Sequence, residues 1–370
     1  MWNTIIVTHF CKVMMKSFFI GDIEIKLPII QGGMGVGISL SGLASAVANE
    51  GGIGVISCAG LGLIYKGHGS FFQNCIWGLK EEIRLAREKT KGTIGVNIMV
   101  ALSNFGDMVR TAIADKIDVI FAGAGLPLDL PSFQTPDSKT KLVPIVSSAR
   151  AAKIICDKWY SNYNYLPDSI VVEGPKAGGH LGFRKEQIFD ELFSLEQIIP
   201  EVVKIARGYE GIKNIPIIAA GGISSGEDIY RFMEMGAAGV QMGSIFVTTY
   251  ECDAAEAFKQ AYINAREEDL QIINSPVGMP GRAIKGDFIK RVEAGLEIPK
   301  TCPVQCIKTC DYTKSPYCIM KALSSAARGN MEKGYAFAGI NAHLAEKISS
   351  VREIISNLKL EFSIAQRVVL

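Results

Sequence analysis

The chain has 370 residues, 48% of them hydrophobic, and a formal net charge of +2. Such a composition supports a large buried core, and a near-neutral balance with no basic stripe and interleaved aromatics excludes an electrostatic case for nucleic-acid binding. No run reaches the ~18 uninterrupted apolar residues that a membrane-spanning helix needs.

Residues 1–13 read as an untidy leader. They lack a charged region ahead of their apolar stretch and a small-residue cleavage site, so they do not form an export signal. The patterned chain begins near Met14. Of nine cysteines, Cys11, Cys58, Cys75, Cys156 and Cys252 are scattered, while Cys302, Cys306, Cys310 and Cys318 are bunched. This is not a disulfide framework, and the expectation is a cytoplasmic protein with reduced thiols.

Short apolar or β-branched runs then recur, each ending in Gly, Ser, Asn, Gln or Met: 27–33, 52–57, 93–99, 117–125, 142–148, 169–174, 215–222 and 238–244. Stretches of helical periodicity separate them. Residues 40–52 place Leu40, Leu43, Ala44, Val47 and Ala48 on one face, and Gly51 stops the helix. Residues 75–90 and 194–211 read the same way, and residues 224–237 open with Ser224, Ser225, Glu227 and Asp228, residue types of a helix start. Strand, loop and helix eight times over, with strands apolar on both faces, predicts a (β/α)8 TIM barrel. An open doubly wound sheet is the alternative. The last third departs from the rhythm: a helix near 253–269 is followed by a Pro- and Gly-rich stretch and the cysteine cluster. The expected organisation is a barrel over 14–270, an insertion with the cysteines over 271–335, and a C-terminal helix over 336–370 that completes the barrel.

Glycine doublets at Gly32–Gly33, Gly178–Gly179 and Gly221–Gly222 fall on the C-terminal side of the strands, where such barrels build their sites. Gly221 and Gly222 end the seventh strand, and Gly243 and Ser244 end the eighth. Glycine lets backbone N–H groups approach an anion, and the helix starting near Ser225 adds its N-terminal dipole. This pattern points to a phosphate-bearing ligand. His180, in the stretch VVEGPKAGGHLG, follows the sixth strand among glycines that leave room for a flat partner. Its imidazole suits acid–base work or hydrogen bonding to an anionic oxygen. His9, His68 and His343 have no comparable setting.

The stretches IIQGGMGVGIS, GVNIM, VVEGPKAGGHLG, AAGGI, VQMGSIF and SPVGMPGRAI together resemble the nitronate monooxygenase family, related to the FMN-dependent enoyl-acyl-carrier-protein reductases. The resemblance runs from about residue 20 to about 285 and resumes after 335. It implies FMN held without covalent attachment. Gly33 and Met34 would lie near the isoalloxazine and Asn97 would hydrogen-bond it, with Gly123 and Ser147 at the same level of the barrel. Ala177, Gly178 and Gly179 would pass beside the flavin and its ribityl chain. Gly221, Gly222, Gly243 and Ser244 would hold the phosphate, and His180 matches the family's active-site histidine. Lys176 stands where many relatives have an acidic or apolar residue. A cation there would stabilise a reduced flavin or a substrate carboxylate; otherwise it is a rim lysine.

The cysteine insertion is the second departure from that resemblance. Its spacing, C-x3-C-x3-C-x7-C, would put Cys302, Cys306 and Cys310 on one face of a helix starting at Pro303, with Cys318 folding back past Pro316. Four thiolates suit zinc or an iron–sulfur cluster, although the spacing matches neither standard pattern. A face of small apolar thiols and a redox switch are the other readings.

The leading functional expectation is an FMN-dependent oxidoreductase that oxidises alkyl nitronates, such as propionate 3-nitronate, with O2. The alternatives are an NAD(P)H-dependent enoyl-thioester reductase and a non-catalytic flavin-binding protein. The inosine-phosphate dehydrogenase group shares the phosphate signature but would need a catalytic cysteine after strand six, where this chain offers His180. The expected partner is a small-molecule substrate, not nucleic acid or membrane, and a homo-oligomer stays open.

Overall fold

The structure is a computed structural model and describes residues 15–369. The leader expected over 1–13, with His9 and Cys11, lies outside the described residues.

Eight parallel strands form the centre: β1 (Ile29–Gln31), β2 (Gly54–Ser57), β3 (Ile94–Met99), β4 (Val119–Gly123), β5 (Lys141–Val146), β6 (Ile170–Glu173), β7 (Ile217–Ala220) and β8 (Gly239–Met242). Seven of the eight runs read from the sequence contain one of them, and the run at 142–148 covers all of β5 but Lys141. Their order around the sheet is β1-β8-β7-β6-β5-β4-β3-β2. Closure between β1 and β2 is made by the Gln31 N–H on the Ile53 carbonyl at 2.9 Å and the Ile53 N–H on the Ile29 carbonyl at 3.0 Å. The fold is therefore a (β/α)8 barrel, not an open doubly wound sheet. Alternation sorts the side chains: Val119 and Phe121 of β4 join the interior cluster, while Ile120 and Ala122 face the helices. An antiparallel hairpin, Phe18–Ile20 with Ile23–Ile25, adds Phe18, Ile20 and Ile25 to that interior cluster. The interior is thus filled with side chains below the C-terminal end of the barrel.

The helices of eight residues or more are α1 (Ser41–Asn49), α2 (Phe71–Lys89), α3 (Phe105–Ala114), α4 (Ala149–Tyr163), α5 (Leu195–Arg207) and α6 (Gly226–Glu234), followed by α7 (Glu256–Ile263), α8 (Ile319–Ala327) and α9 (Val351–Val369). Helix α9 packs against α6 and α1, between the seventh and first barrel units. The eightfold repeat of helices expected from the sequence fails once. After β4 the chain makes only a 3-10 turn, Leu130–Phe133, because Pro127, Pro131 and Pro136 interrupt any longer helix.

Between α7 and α8 lies an antiparallel hairpin of β9 (Leu270–Asn274) and β10 (Pro280–Ile284). The short strand Gly179–His180 pairs with β10 as a third member. The helix expected from Pro303 is absent. Residues 301–316 are irregular, and Gln305 takes a left-handed φ of 47° that no helix accommodates. The spacing of the cysteines imitates a helical face, but the segment is instead tied to the loop after β3. There the Ser103 N–H donates to the Cys306 carbonyl at 3.1 Å and the Lys308 N–H to the Ala101 carbonyl at 2.9 Å.

Candidate active site

The C-terminal end of the barrel opens into a cavity of about 620 Å³. Gly33, Met34, Asn97, Gly123, Ala177, Gly178, Gly179, His180, Gly221, Gly222, Gly243 and Ser244 all line it. Ser147 does not. Its Oγ lies where a side chain on Gly182 would begin, 2.4 Å from that ideal Cβ, so it supports the loop after His180 rather than the cavity. Gly33 is small for a local reason: a Cβ there would stand 2.3 Å from the Cβ of Asn97. At Gly243 a Cβ would meet nothing nearer than the Met34 sulfur at 3.5 Å, and at Gly179 nothing within 4 Å. These two positions leave a smooth, side-chain-free wall beside open space, a shape that suits a planar ligand.

His180 is held by the β9–β10 hairpin. Gly281 stands opposite it in the ladder, and the Leu181 N–H donates to the Pro280 carbonyl at 2.8 Å. A Cβ on Gly281 would lie 2.8 Å from the Phe337 ring and 3.2 Å from the Gly179 carbonyl. The imidazole Nε2 is 2.7 Å from the Ser275 hydroxyl, and the ring meets Phe337 edge-on at 5.0 Å. Ser275 is itself buried and accepts the Val277 N–H at 3.3 Å. Behind it the hydroxyls of Tyr317 and Tyr335 are 2.9 Å apart, and Tyr317 also interacts with Ser275. Arg282, next along β10, donates through Nη1 to the carbonyls of Pro175 at 2.6 Å and Ala177 at 2.9 Å. The stretch SPVGMPGRAI is therefore the frame of the histidine loop. Burial lowers the His180 pKa to about 4, so the imidazole is neutral at pH 7.

A second titratable group had not been singled out in the sequence. Glu173, at the end of β6, lines the cavity, and burial raises its carboxyl to about 7. The residue was visible at the end of its apolar run; nothing local revealed that it faces the cavity. Asn341 was also missed. Its Nδ2 donates to the Gly222 carbonyl and to the Ser224 hydroxyl, both at 2.9 Å. Nearby, the Gly339 N–H donates to Ser244 Oγ at 2.9 Å and the Ile340 N–H to the Lys176 carbonyl at 3.1 Å. Residues 339–341 thus stitch together the loops after β6, β7 and β8.

Gly221 and Gly222 have φ values of 96° and 79°, a left-handed pair that only glycine adopts without strain. The start of α6 differs from expectation. Asp228 Oδ2 accepts the Ser224 and Ser225 N–H groups at 3.0 and 3.2 Å, and Glu361 accepts the Gly226 N–H at 2.7 Å. Carboxylates already occupy that helix end, so an anion at this side of the cavity has the glycine loops as its partners. Lys176 is exposed and lies outside the cavity lining, with its stem over Gly222, which makes it a rim residue. His68 stacks on Trp77 at 3.7 Å, and His343 Nδ1 is 3.0 Å from the Ile340 carbonyl; neither lines the cavity. No helix among the described residues is long and apolar enough to cross a membrane.

A parallel eightfold barrel with a deep cavity at its C-terminal face, lined by glycines and one neutral histidine, defines an enzyme of the barrel class that builds its site from βα loops. The nitronate monooxygenase family model matches residues 16–361, and the chain belongs to that family. It is 26% identical over 366 residues to a probable nitronate monooxygenase of Staphylococcus saprophyticus, covering 89% of this chain and 93% of that one. Among solved structures, FabK from Thermotoga maritima superimposes with a TM-score of 0.70 and 26% identity, covering 92% of this chain and 94% of the other. A nitroalkane oxidase from Streptomyces ansochromogenes gives a TM-score of 0.71 at 19% identity, over 93% and 98% of the two chains, and shares the fold. Family and relatives together make the protein an oxidoreductase.

Proposed function

We propose that this protein is an FMN-dependent oxidoreductase that oxidises alkyl nitronates with O2. The observation that carries the reading is the neutral His180 imidazole, fixed by Ser275 at the wall of a glycine-lined cavity. At about 620 Å³ the cavity lies in the usual range for small-molecule and cofactor sites. Its side-chain-free wall at Gly179 and Gly243 suits a flat ring system. In this reading Gly33, Met34, Asn97, Gly123, Ala177, Gly178 and Gly179 flank the flavin and ribityl chain. Gly221, Gly222, Gly243 and Ser244 receive the phosphate. FMN, when bound, supplies the electron exchange between nitronate and oxygen.

The chain's own share is orientation and hydrogen bonding. A neutral imidazole has one N–H and one lone pair. With Nε2 accepting from the Ser275 hydroxyl, the proton resides on Nδ1, which then donates to an anionic oxygen. With Nε2 donating to Ser275, Nδ1 is a lone pair and would repel that oxygen. A nitronate is an anion and selects the first arrangement; a neutral nitroalkane that must lose a proton needs the second. The carboxyl of Glu173 is half protonated near pH 7, which limits negative charge beside an anionic substrate.

The similarity to FabK, at 26% identity over nearly the whole chain, supports a second reading on the same scaffold: NAD(P)H-dependent reduction of an enoyl thioester. A His180→Ala variant tests the catalytic assignment. It should bind FMN as the parent does and lose most of its nitronate turnover; undiminished turnover would remove His180 from the reaction.

A further inference from the structure

We propose that Cys302, Cys306, Cys310 and Cys318 are the ligands of one thiolate-bound metal centre beside the cavity, of a kind open to zinc or to an iron–sulfur core.

All four residues line a single small cavity of about 20 Å³, whose wall also includes Ile307, Tyr317, Met320 and the polar Thr301, Gln305 and Ser315. Cys306 has the other three thiols within electrostatic reach, and Cys310 has Cys302 and Cys318. All are free thiols. Cys306 and Cys310 pack on the edge of a hydrophobic cluster, yet the group as a whole is not buried in the core. Cys58, Cys75, Cys156 and Cys252 sit in the core at 0–4% exposure, whereas Cys302, Cys306 and Cys310 are partly exposed and Cys318 is exposed. Thiols gathered at a surface pocket, rather than dispersed through a core, are arranged for something that thiolates bind.

The backbone around them agrees. The Gln305 N–H donates to Cys302 Sγ at 3.4 Å, and the left-handed φ of Gln305 makes that turn. Residues 301–316 have no helix or strand of their own; the segment is anchored at Cys306 and Lys308 to the loop after β3, and irregular stretches of this length in compact chains are commonly functional. A cavity of this size holds one ion-sized or water-sized sphere. Among the described residues no three such side chains yet close around one point. A single ion would have to draw the four thiols together, whereas a cluster core would span the wider separation.

The position ties the centre to the active site. Cys318 is the N-cap of α8, and Leu323 of the same helix lines the main cavity. Five residues at about 1.5 Å each separate them by roughly 7.5 Å along the axis. Tyr317, adjacent to Cys318, also reaches Ser275, the partner of His180.

The test is metal and sulfide analysis of the full chain purified anaerobically, as isolated and after incubation with Zn²⁺ or with Fe²⁺ plus sulfide. About one zinc per chain identifies the single ion, and iron with matching acid-labile sulfide, up to about four of each, identifies a cluster. Cys302→Ser and Cys318→Ser should lose that metal, while Cys252→Ser, outside the group, should keep it. Where a serine variant fails to fold, mercurial titration of the parent answers instead, because metal release must track modification of four thiols. Absence of zinc and iron in every preparation overturns the proposal. So does full retention of metal by the folded serine variants, or release that does not follow the thiols.

Discussion

Replacing Ser275 by alanine isolates the frame of the histidine from the histidine itself. The hydroxyl sits 2.7 Å from His180 Nε2 and is only 8% exposed, so water does not readily replace it. Leaving a buried polar atom without its partner costs about 1–3 kcal/mol. If that cost falls wholly on the productive orientation of the ring, at 1.36 kcal/mol per tenfold, kcat/KM drops roughly 5- to 150-fold. The lost contact to the Val277 N–H adds a smaller penalty to folding, visible as a lower melting temperature. FMN affinity should hold, because Ser275 is not among the residues lining the cavity. The assay is steady-state turnover of propionate 3-nitronate beside a fluorescence titration of FMN. Unchanged kcat/KM would refute the claim that Ser275 orients His180. A loss matched by an equal loss of FMN binding would show that the frame serves the cofactor instead.

Other outcomes follow from the same geometry. With the His180 pKa lowered to about 4, protonation of the ring removes turnover only as pH approaches 4; an acidic limb near pH 6.5, with activity lost as pH falls, would contradict this, whereas ionisation of Glu173 near pH 7 acts in the opposite direction, as pH rises. Gly178→Ala places a Cβ 2.5 Å from the backbone of Ala338 and Gly339, so it should lower the melting temperature and weaken FMN binding, whereas an unaltered melting curve would show that the loops separate freely. Glu173 is raised from 4.5 to about 7, so the folded state stays protonated while the unfolded chain ionises, and stability falls as pH rises across that window. Glu173→Gln removes that dependence. Its thermal stability should therefore gain on the parent between pH 5 and pH 8, and a constant difference would remove Glu173 from the buried titrating groups.

The barrel was legible because strands buried on both faces leave continuous apolar runs, and glycines mark where each run ends. The missing helix after β4 was written in Pro127, Pro131 and Pro136, but the repeating rhythm outweighed them. At the cysteines a four-residue spacing imitated a helix that Gln305 does not permit. Ser147 lay at the right level of the barrel and pointed the wrong way, since a side chain at a strand end depends on parity that composition does not fix. The partners of His180 were hidden for another reason. Ser275 reaches it across 95 residues and Arg282 clamps the Pro175 carbonyl across 107, through pairing of a short strand with a distant hairpin. Local pattern carries no trace of such pairing, although both residues stand in the stretch SPVGMPGRAI.

The most direct test of the account is an anaerobic absorption titration of the FMN-loaded protein, with propionate 3-nitronate in one arm and NADH or NADPH in the other. The account predicts that the nitronate bleaches the flavin bands and the pyridine nucleotides leave them intact. Rapid bleaching by NADH or NADPH, with no response to nitronate, would contradict it and make the protein a reductase.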